Sequence, residues 1–79
     1  MTNIAITGIN SYFAKTLLPF LEKDPQVKKI IGIDISPWKG ASEKVTFFRE
    51  DVRSGRIREL FKDVDTVIHL AFVVCRMGL

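Results

Sequence analysis

The sequence predicts an α/β fold: a parallel sheet with helices on its faces, in the order β-α-β-β-α-β. Three observations predict it. Short continuous apolar runs, the mark of strands buried on both faces, alternate with stretches whose apolar residues recur at helical spacing. The first run ends in Gly8 and opens at once into such a helical stretch. The second run ends in an acid, Asp34, twenty residues after Ala14.

Asn3 to Thr7 reads as the first strand, with Ile4, Ala5 and Ile6 apolar in succession. A helix is predicted from about Ser11 to Lys23, where Phe13, Leu17, Phe20 and Leu21 form one apolar stripe to lie on the sheet. Pro19 falls inside it and removes one backbone donor, so a weak point or kink is expected near Lys15. Asp24-Pro25 stops the helix. Val27 to Asp34 is the second strand, and Ile35 to Lys44 a loop carrying Pro37, Trp38 and Gly40. Val45 to Phe48 makes a short third strand. It is the least secure, because ten loop residues are near the minimum for a parallel crossover. Ser54 is a suitable N-cap for a second helix with Ile57, Leu60, Phe61 and Val64 on one face. Thr66 to Ala71 is the fourth strand.

With 79 residues the chain holds one small domain. A net charge of +3 raises nucleic-acid binding as a possibility, but the basic residues are spread along the chain and no DNA- or RNA-reading motif accompanies them. Lys23, Lys28 and Lys29 form the one local basic cluster, at the edge opposite the strands' carboxyl ends, and read as solvated charge. A single cysteine, Cys75, excludes an internal disulfide framework and fits a reducing cytosol, so a cytoplasmic protein is expected. No signal-peptide pattern follows Met1, and the longest apolar stretch, Val67 to Cys75, is interrupted by His69 and too short for a membrane helix.

The chemistry sits in the first turn. Gly8 lets the chain bend sharply out of the first strand, position 11 must be small for backbone amides to approach phosphates, and a small residue at 14 lets the helix pack closely. Ala14 meets the last need, while Ser11 keeps a hydroxyl that can donate to a phosphate oxygen. Strand, Gly8, helix, strand and terminal Asp34 in this register are the layout of a Rossmann-type βαβ unit. There a pyrophosphate sits at the helix N-terminus and a carboxylate takes the ribose hydroxyls. The ligand class is a dinucleotide, with NAD favoured, and the expected strand order is 3-2-1-4. The plainer alternative makes Gly8 and Ala14 packing devices and Asp34 a turn-capping acid.

Four segments then resemble one family. The run Ile6-Thr7-Gly8-Ile9-Asn10-Ser11-Tyr12-Phe13-Ala14 resembles the Thr-Gly-x-x-Gly-x-x-Gly segment of extended short-chain dehydrogenase/reductases, the NAD-dependent epimerase/dehydratase family. Ile33-Asp34, Glu50-Asp51-Val52-Arg53 and Val64 to Ala71 follow in the family's order. Ser11 and Ala14 stand where the family has glycines. The resemblance implies that residues 1–79 are a partial NAD(P)-binding domain without the catalytic and substrate half. It implies cofactor contacts at Gly8, Asn10, Ser11, Tyr12, Phe13 and Asp34, with Asp51 and Val52 bracketing adenine and Leu70, Ala71 and Phe72 passing beneath the cofactor. In a full-length enzyme the substrate would be of sugar-nucleotide type. The family's catalytic Tyr-x-x-x-Lys has no counterpart, since the one tyrosine, Tyr12, lies in the phosphate turn with Thr16 four residues on. No catalytic residue and no metal site is therefore assigned, and the alternative function is a stand-alone nucleotide-binding or interaction module without turnover.

Asp51 has a second reading as a surface partner of Arg49 or Arg53, and Trp38 either anchors its loop or lies near the adenosine. His69, with no second histidine and Cys75 six residues away, reads as a strand-end residue satisfied locally rather than a metal ligand. NAD should be preferred over NADP, because Asp34 repels a 2′-phosphate and no arginine stands at Ile9, Asn10, Ile35 or Ser36. The apolar residues after Leu70 predict a homo-oligomer formed through the exposed fourth-strand edge.

Overall fold

The computed structural model describes residues 2–40 and 42–70. Its elements are β1 (Thr2–Thr7), α1 (Tyr12–Lys23), β2 (Val27–Asp34), β3 (Val45–Arg49), α2 (Arg56–Leu60) and β4 (Thr66–His69). All pairings are parallel and the sheet order is β3-β2-β1-β4. This is the truncated Rossmann-type α/β arrangement that the strand and helix pattern predicts. Ala71, the last residue expected in the fourth strand, lies outside the described residues.

Each face of the sheet carries its own apolar layer. Ile4, Ile6 and Ile30 point to the α1 side, with Ala14, Leu18 and Leu21 of the helix packed on them. Ala5, Ile31 and Ile33 point to the other side, under Ile57, Leu60, Phe61 and Val64. The alternation follows the two-residue period of the strands, and burial on both faces explains why their sequences read as unbroken apolar runs.

α1 turns a different stripe to the sheet from the one its sequence suggests. Phe13 and Phe20 are 67% and 71% exposed, while Ala14 is fully buried. The inward stripe is Ala14, Leu18 and Leu21, at i, i+4 and i+7. With only a methyl group at position 14, the helix axis comes close to the strands, which a phenylalanine facing inward would prevent. Both stripes have helical spacing, so periodicity does not distinguish them. Pro19 sits on the exposed side and the helix runs continuously across it. The Lys15 carbonyl, which loses its partner, lies where water can take that bond.

β3 does pair with β2, without a helix between them among the described residues. Trp38 settles the crossover. It packs against the α1-side core and lies 6.2 Å from Phe47, centroid to centroid. A Cβ on Gly40 would come within 2.3 Å of the indole, so the chain can pass over the ring only as glycine. Trp38 thus anchors its loop, and it also lines a cleft with Asn10 and Ser36.

α2 is shorter than its apolar face. The helix covers five residues, and Gly55 before it already has helical angles, φ of −63° and ψ of −19°. The Ser54 hydroxyl accepts from the Arg56 amide, two residues on, at 3.2 Å. That bond, with the Ile57 amide donating to the Ser54 carbonyl at 3.2 Å, is a helix-capping pattern. Phe61 and Val64 keep their expected contacts from the turn that follows.

Candidate functional site

Because every strand is parallel, the carboxyl ends of all four meet at one edge of the sheet, where open α/β sheets bind ligands. β1 ends at Thr7, and Gly8 follows with φ of 73°. This left-handed conformation is the one glycine adopts without a Cβ penalty. It sends the Gly8 amide back to the Ile33 carbonyl at 2.7 Å, with the Ile9 amide joining at 3.2 Å. The Gly8 carbonyl accepts from the Ser11 amide at 2.9 Å, closing a tight turn.

Ser11 is the N-cap of α1. Its hydroxyl oxygen accepts from the Ala14 amide at 3.1 Å, and its carbonyl accepts the first helical bond from Lys15. Of the donors at this helix start, those of Tyr12 and Phe13 have no acceptor among the described residues. They face the solvent end of the helix, where the partial positive charge of the helix dipole is concentrated. The side chains of Tyr12 and Phe13 are exposed and meet edge to face at 6.1 Å. Ser11 therefore supports the turn by capping it, which a glycine cannot do.

The turn is held from below by a contact that the motif did not disclose. Ile9 is 1% exposed, and a Cβ on Gly32 would fall 2.3 Å from its Cδ1. Gly32 in β2 is thus the socket for Ile9. The signal was present: a lone glycine within an isoleucine run marks close approach by another group.

Asp34 closes the site from the second strand. Its Oδ2 accepts from the Asn10 amide and its Oδ1 from the Ser36 amide, both at 3.0 Å. The Asn10 side chain donates to the Ser36 carbonyl at 3.0 Å. The carboxylate is thereby joined to the glycine turn, half-buried, with lone pairs still free to accept from hydroxyls. The Glu50 amide donates to the Asp34 carbonyl at 3.0 Å, which brings the segment after β3 alongside.

In that segment Asp51 is paired with Arg53. Its Oδ1 accepts from the Arg53 amide at 2.8 Å and from Nε at 3.1 Å, and its Oδ2 from Nη2 at 2.8 Å. Hydrogen bonds from the Arg53 side chain, and next from its amide, hold the Asp51 carboxyl down at about 2, and the same pair raises the Arg53 guanidinium above its usual range. Arg49 turns elsewhere, its Nε donating to the Ile35 carbonyl at 2.9 Å. Val52 is half-buried against the α2-side core.

On the fourth strand, the Thr7 hydroxyl and His69 Nδ1 are 2.6 Å apart. The Leu70 amide donates to both the carbonyl and the hydroxyl of Thr7, at 2.9 and 3.1 Å. His69 belongs to a clasp that holds the end of β4 to the residue before Gly8. Leu70 packs against the α1-side core. Gly8, Asn10, Ser11, Asp34, Asp51, Val52 and Leu70 thus share one edge, whereas Ala71 and Phe72 lie outside the described residues. Among the described residues no cluster of three His, Cys, Asp or Glu side chains is placed to hold a metal, and no helix is long and apolar enough to cross a membrane.

No family model and no curated protein sequence matches the chain. Solved structures do match its fold. Uronate dehydrogenase from Agrobacterium tumefaciens superposes with a TM-score of 0.74 at 18% identity, over 89% of this chain and 26% of that one. UDP-glucuronic acid 4-epimerase from Bacillus cereus, solved with UDP-glucuronic acid and NAD, superposes with a TM-score of 0.72 at 23% identity, over 86% of this chain and 26% of its own. The chain therefore spans about a quarter of the length of the structures it resembles.

Proposed function

We propose that this chain is the dinucleotide-binding part of an oxidoreductase of the extended short-chain dehydrogenase/reductase type, with NAD as its cofactor. The observation that carries the reading is the coupling of two features at one strand edge. A left-handed glycine turn leads into a capped helix N-terminus, and the Asp34 carboxylate is tied to that same turn through the Asn10 amide. The unpaired amides of Tyr12 and Phe13 suit phosphate oxygens, and Asp34 suits a ribose diol. Asp51 and Val52 would border the adenine, with Leu70, Ala71 and Phe72 beneath the cofactor. A bound nicotinamide would supply the hydride chemistry, and the residues of this chain bind and orient its ADP portion.

A full-length enzyme of this kind would act on a sugar-nucleotide type of hydroxyl or carbonyl group. The second reading is a nucleotide-binding module without turnover, in which the same glycine turn and Asp34 hold the nucleotide. Both readings share the ligand and differ only in chemistry. We place the protein in the cytoplasm, with a dinucleotide rather than nucleic acid as its partner.

Titration calorimetry with NAD, ADP and NADP tests the proposal. NAD and ADP should bind alike, NADP more weakly, and Asp34→Ala should abolish the difference. Tighter binding of NADP, or no binding of ADP, would refute it. Pure 79-residue protein should form or consume no NADH beyond a Tyr12→Phe, Asp34→Ala control.

A further inference from the structure

Three consecutive amides of the glycine turn grip the end of β2. Those of Gly8 and Ile9 donate to the Ile33 carbonyl, at 2.7 and 3.2 Å, and that of Asn10 donates to Asp34 Oδ2 at 3.0 Å. The grip then passes from backbone to side chain. Asn10 Nδ2 donates to the Ser36 carbonyl at 3.0 Å, while the Ser36 amide returns to Asp34 Oδ1 at the same distance. Asn10, Asp34 and Ser36 thus close a ring around one carboxylate.

The ring fixes more than the place of that carboxylate. An ionised carboxylate has about four acceptor sites, shared between its two oxygens. One amide on each oxygen sets the rotation about the Cβ–Cγ bond and leaves each oxygen with acceptor capacity. Two neighbouring acceptors held in one plane match two vicinal hydroxyls. A carboxylate free to turn would have to be ordered on binding, which costs affinity. The loop is held on both sides of Ser36, because the Ile35 carbonyl accepts from Arg49 Nε at 2.9 Å and Trp38 packs against the core. Ser36 itself is exposed, and the Asn10 carboxamide joins it to the turn.

Residue type at position 10 is restricted accordingly. The side chain must donate to a carbonyl while its own backbone amide is engaged by Asp34. Asparagine carries two donors on a short stem, whereas an aspartate of the same shape offers only acceptors and would set a second negative charge beside Asp34.

We propose that Asn10 is a positioning residue: acting through Asp34, it makes this strand edge select a ribose over a 2′-deoxyribose. The inference rests on the nucleotide reading above and goes beyond it, since a carboxylate can hold a ribose without help from residue 10.

Titration calorimetry with ADP and 2′-deoxy-ADP provides the test. The parent should prefer ADP by about tenfold or more, the effect of one hydrogen bond to a charged group. Asn10→Ala should bring that preference to within about threefold, by weakening ADP and leaving 2′-deoxy-ADP nearly unchanged. In an Asp34→Ala background the same substitution should change the preference no further, as expected of a residue that acts through Asp34. Equal losses for both nucleotides would make Asn10 merely structural and overturn the proposal, and so would a preference that Asn10→Ala leaves intact. Amide hydrogen exchange on the nucleotide-free parent checks the ring without any variant. The Asn10 and Ser36 amides should be protected before ADP is added, and protection that arises only with ADP would also overturn the proposal. Failure to bind either nucleotide would remove the nucleotide reading as well, whereas ADP binding that ignores Asn10 removes this inference alone.

Discussion

Replacing Gly8 and Gly55 by alanine makes the same chemical change at two turns, and the structure predicts opposite results. Gly8 has φ of 73°, whereas Gly55 has φ of −63° and ψ of −19°. An alanine in the left-handed region costs about 1–2 kcal/mol in the folded state. Restricting the unfolded chain returns about 0.4–1 kcal/mol at either position. Gly8→Ala should therefore lose about 1 kcal/mol net. At Gly55 nothing lies within 4 Å of the added Cβ, so only the unfolded-state gain remains, about 0.5 kcal/mol. For a domain of this size 1 kcal/mol shifts the melting temperature by about 4–8 °C, so the two variants should melt roughly 6–12 °C apart. Gly8→Asn should fall between Gly8→Ala and the parent, since asparagine tolerates the left-handed region better than alanine. Thermal and urea melts followed by circular dichroism provide the assay, with an unchanged urea slope showing that compactness is unaltered. A Gly8→Ala protein as stable as the parent, or two variants displaced equally in one direction, would refute the reasoning.

Three further outcomes are expected. Gly32→Ala should cost about 1–3 kcal/mol by pushing Ile9 out of its socket, and on the proposed function should weaken ADP binding with it, because Ile9 underpins the glycine turn; a melt and a titration on one sample check both. Asp51 gives a pH dependence whose sign follows from its lowered pKa. Its carboxylate favours the folded state above the unfolded value of 3.8, and that contribution is lost as pH falls toward about 2. Arg53→Ala should move the carboxyl titration back up toward 3.8, as read by carbon NMR. Thr7→Val keeps the shape but removes a hydroxyl that meets His69 and Leu70, so it should cost about 1–2 kcal/mol and speed amide exchange at Leu70. A parent-like melt and exchange rate would show that the clasp adds nothing.

The fold was legible because the two central strands, β1 and β2, are buried on both faces. Ile4, Ala5 and Ile6, and later Ile30, Ile31 and Ile33, admit no amphipathic reading, and parallel strands need both faces covered. The position of β3 was the weak point on chain-length grounds. What secures it is Trp38 on Phe47 with Gly40 laid across the ring, a side-chain contact that loop length cannot express. The start of α2 was legible at Ser54, whose hydroxyl takes the Arg56 amide; its end at Leu60 was not, because Phe61 and Val64 keep the same apolar face from the turn that follows.

The candidate site divides along the same line. Gly8, Ser11 and Asp34 were readable because backbone conformation, helix capping and strand-end charge each restrict residue type at a fixed spacing. Ile9 and Gly32 were not readable as a pair, since they lie in different elements and only the packing of β1 against β2 brings them together. The orientation of α1 was lost for a subtler reason. Hydrophobicity ranks Phe13 and Phe20 above Ala14, yet close approach of a helix to a sheet selects for the smallest side chain. The buried alanine and the exposed phenylalanines are two results of one rotation. That rotation seats Ala14 on the strands and turns Phe13 and Phe20 away from the sheet.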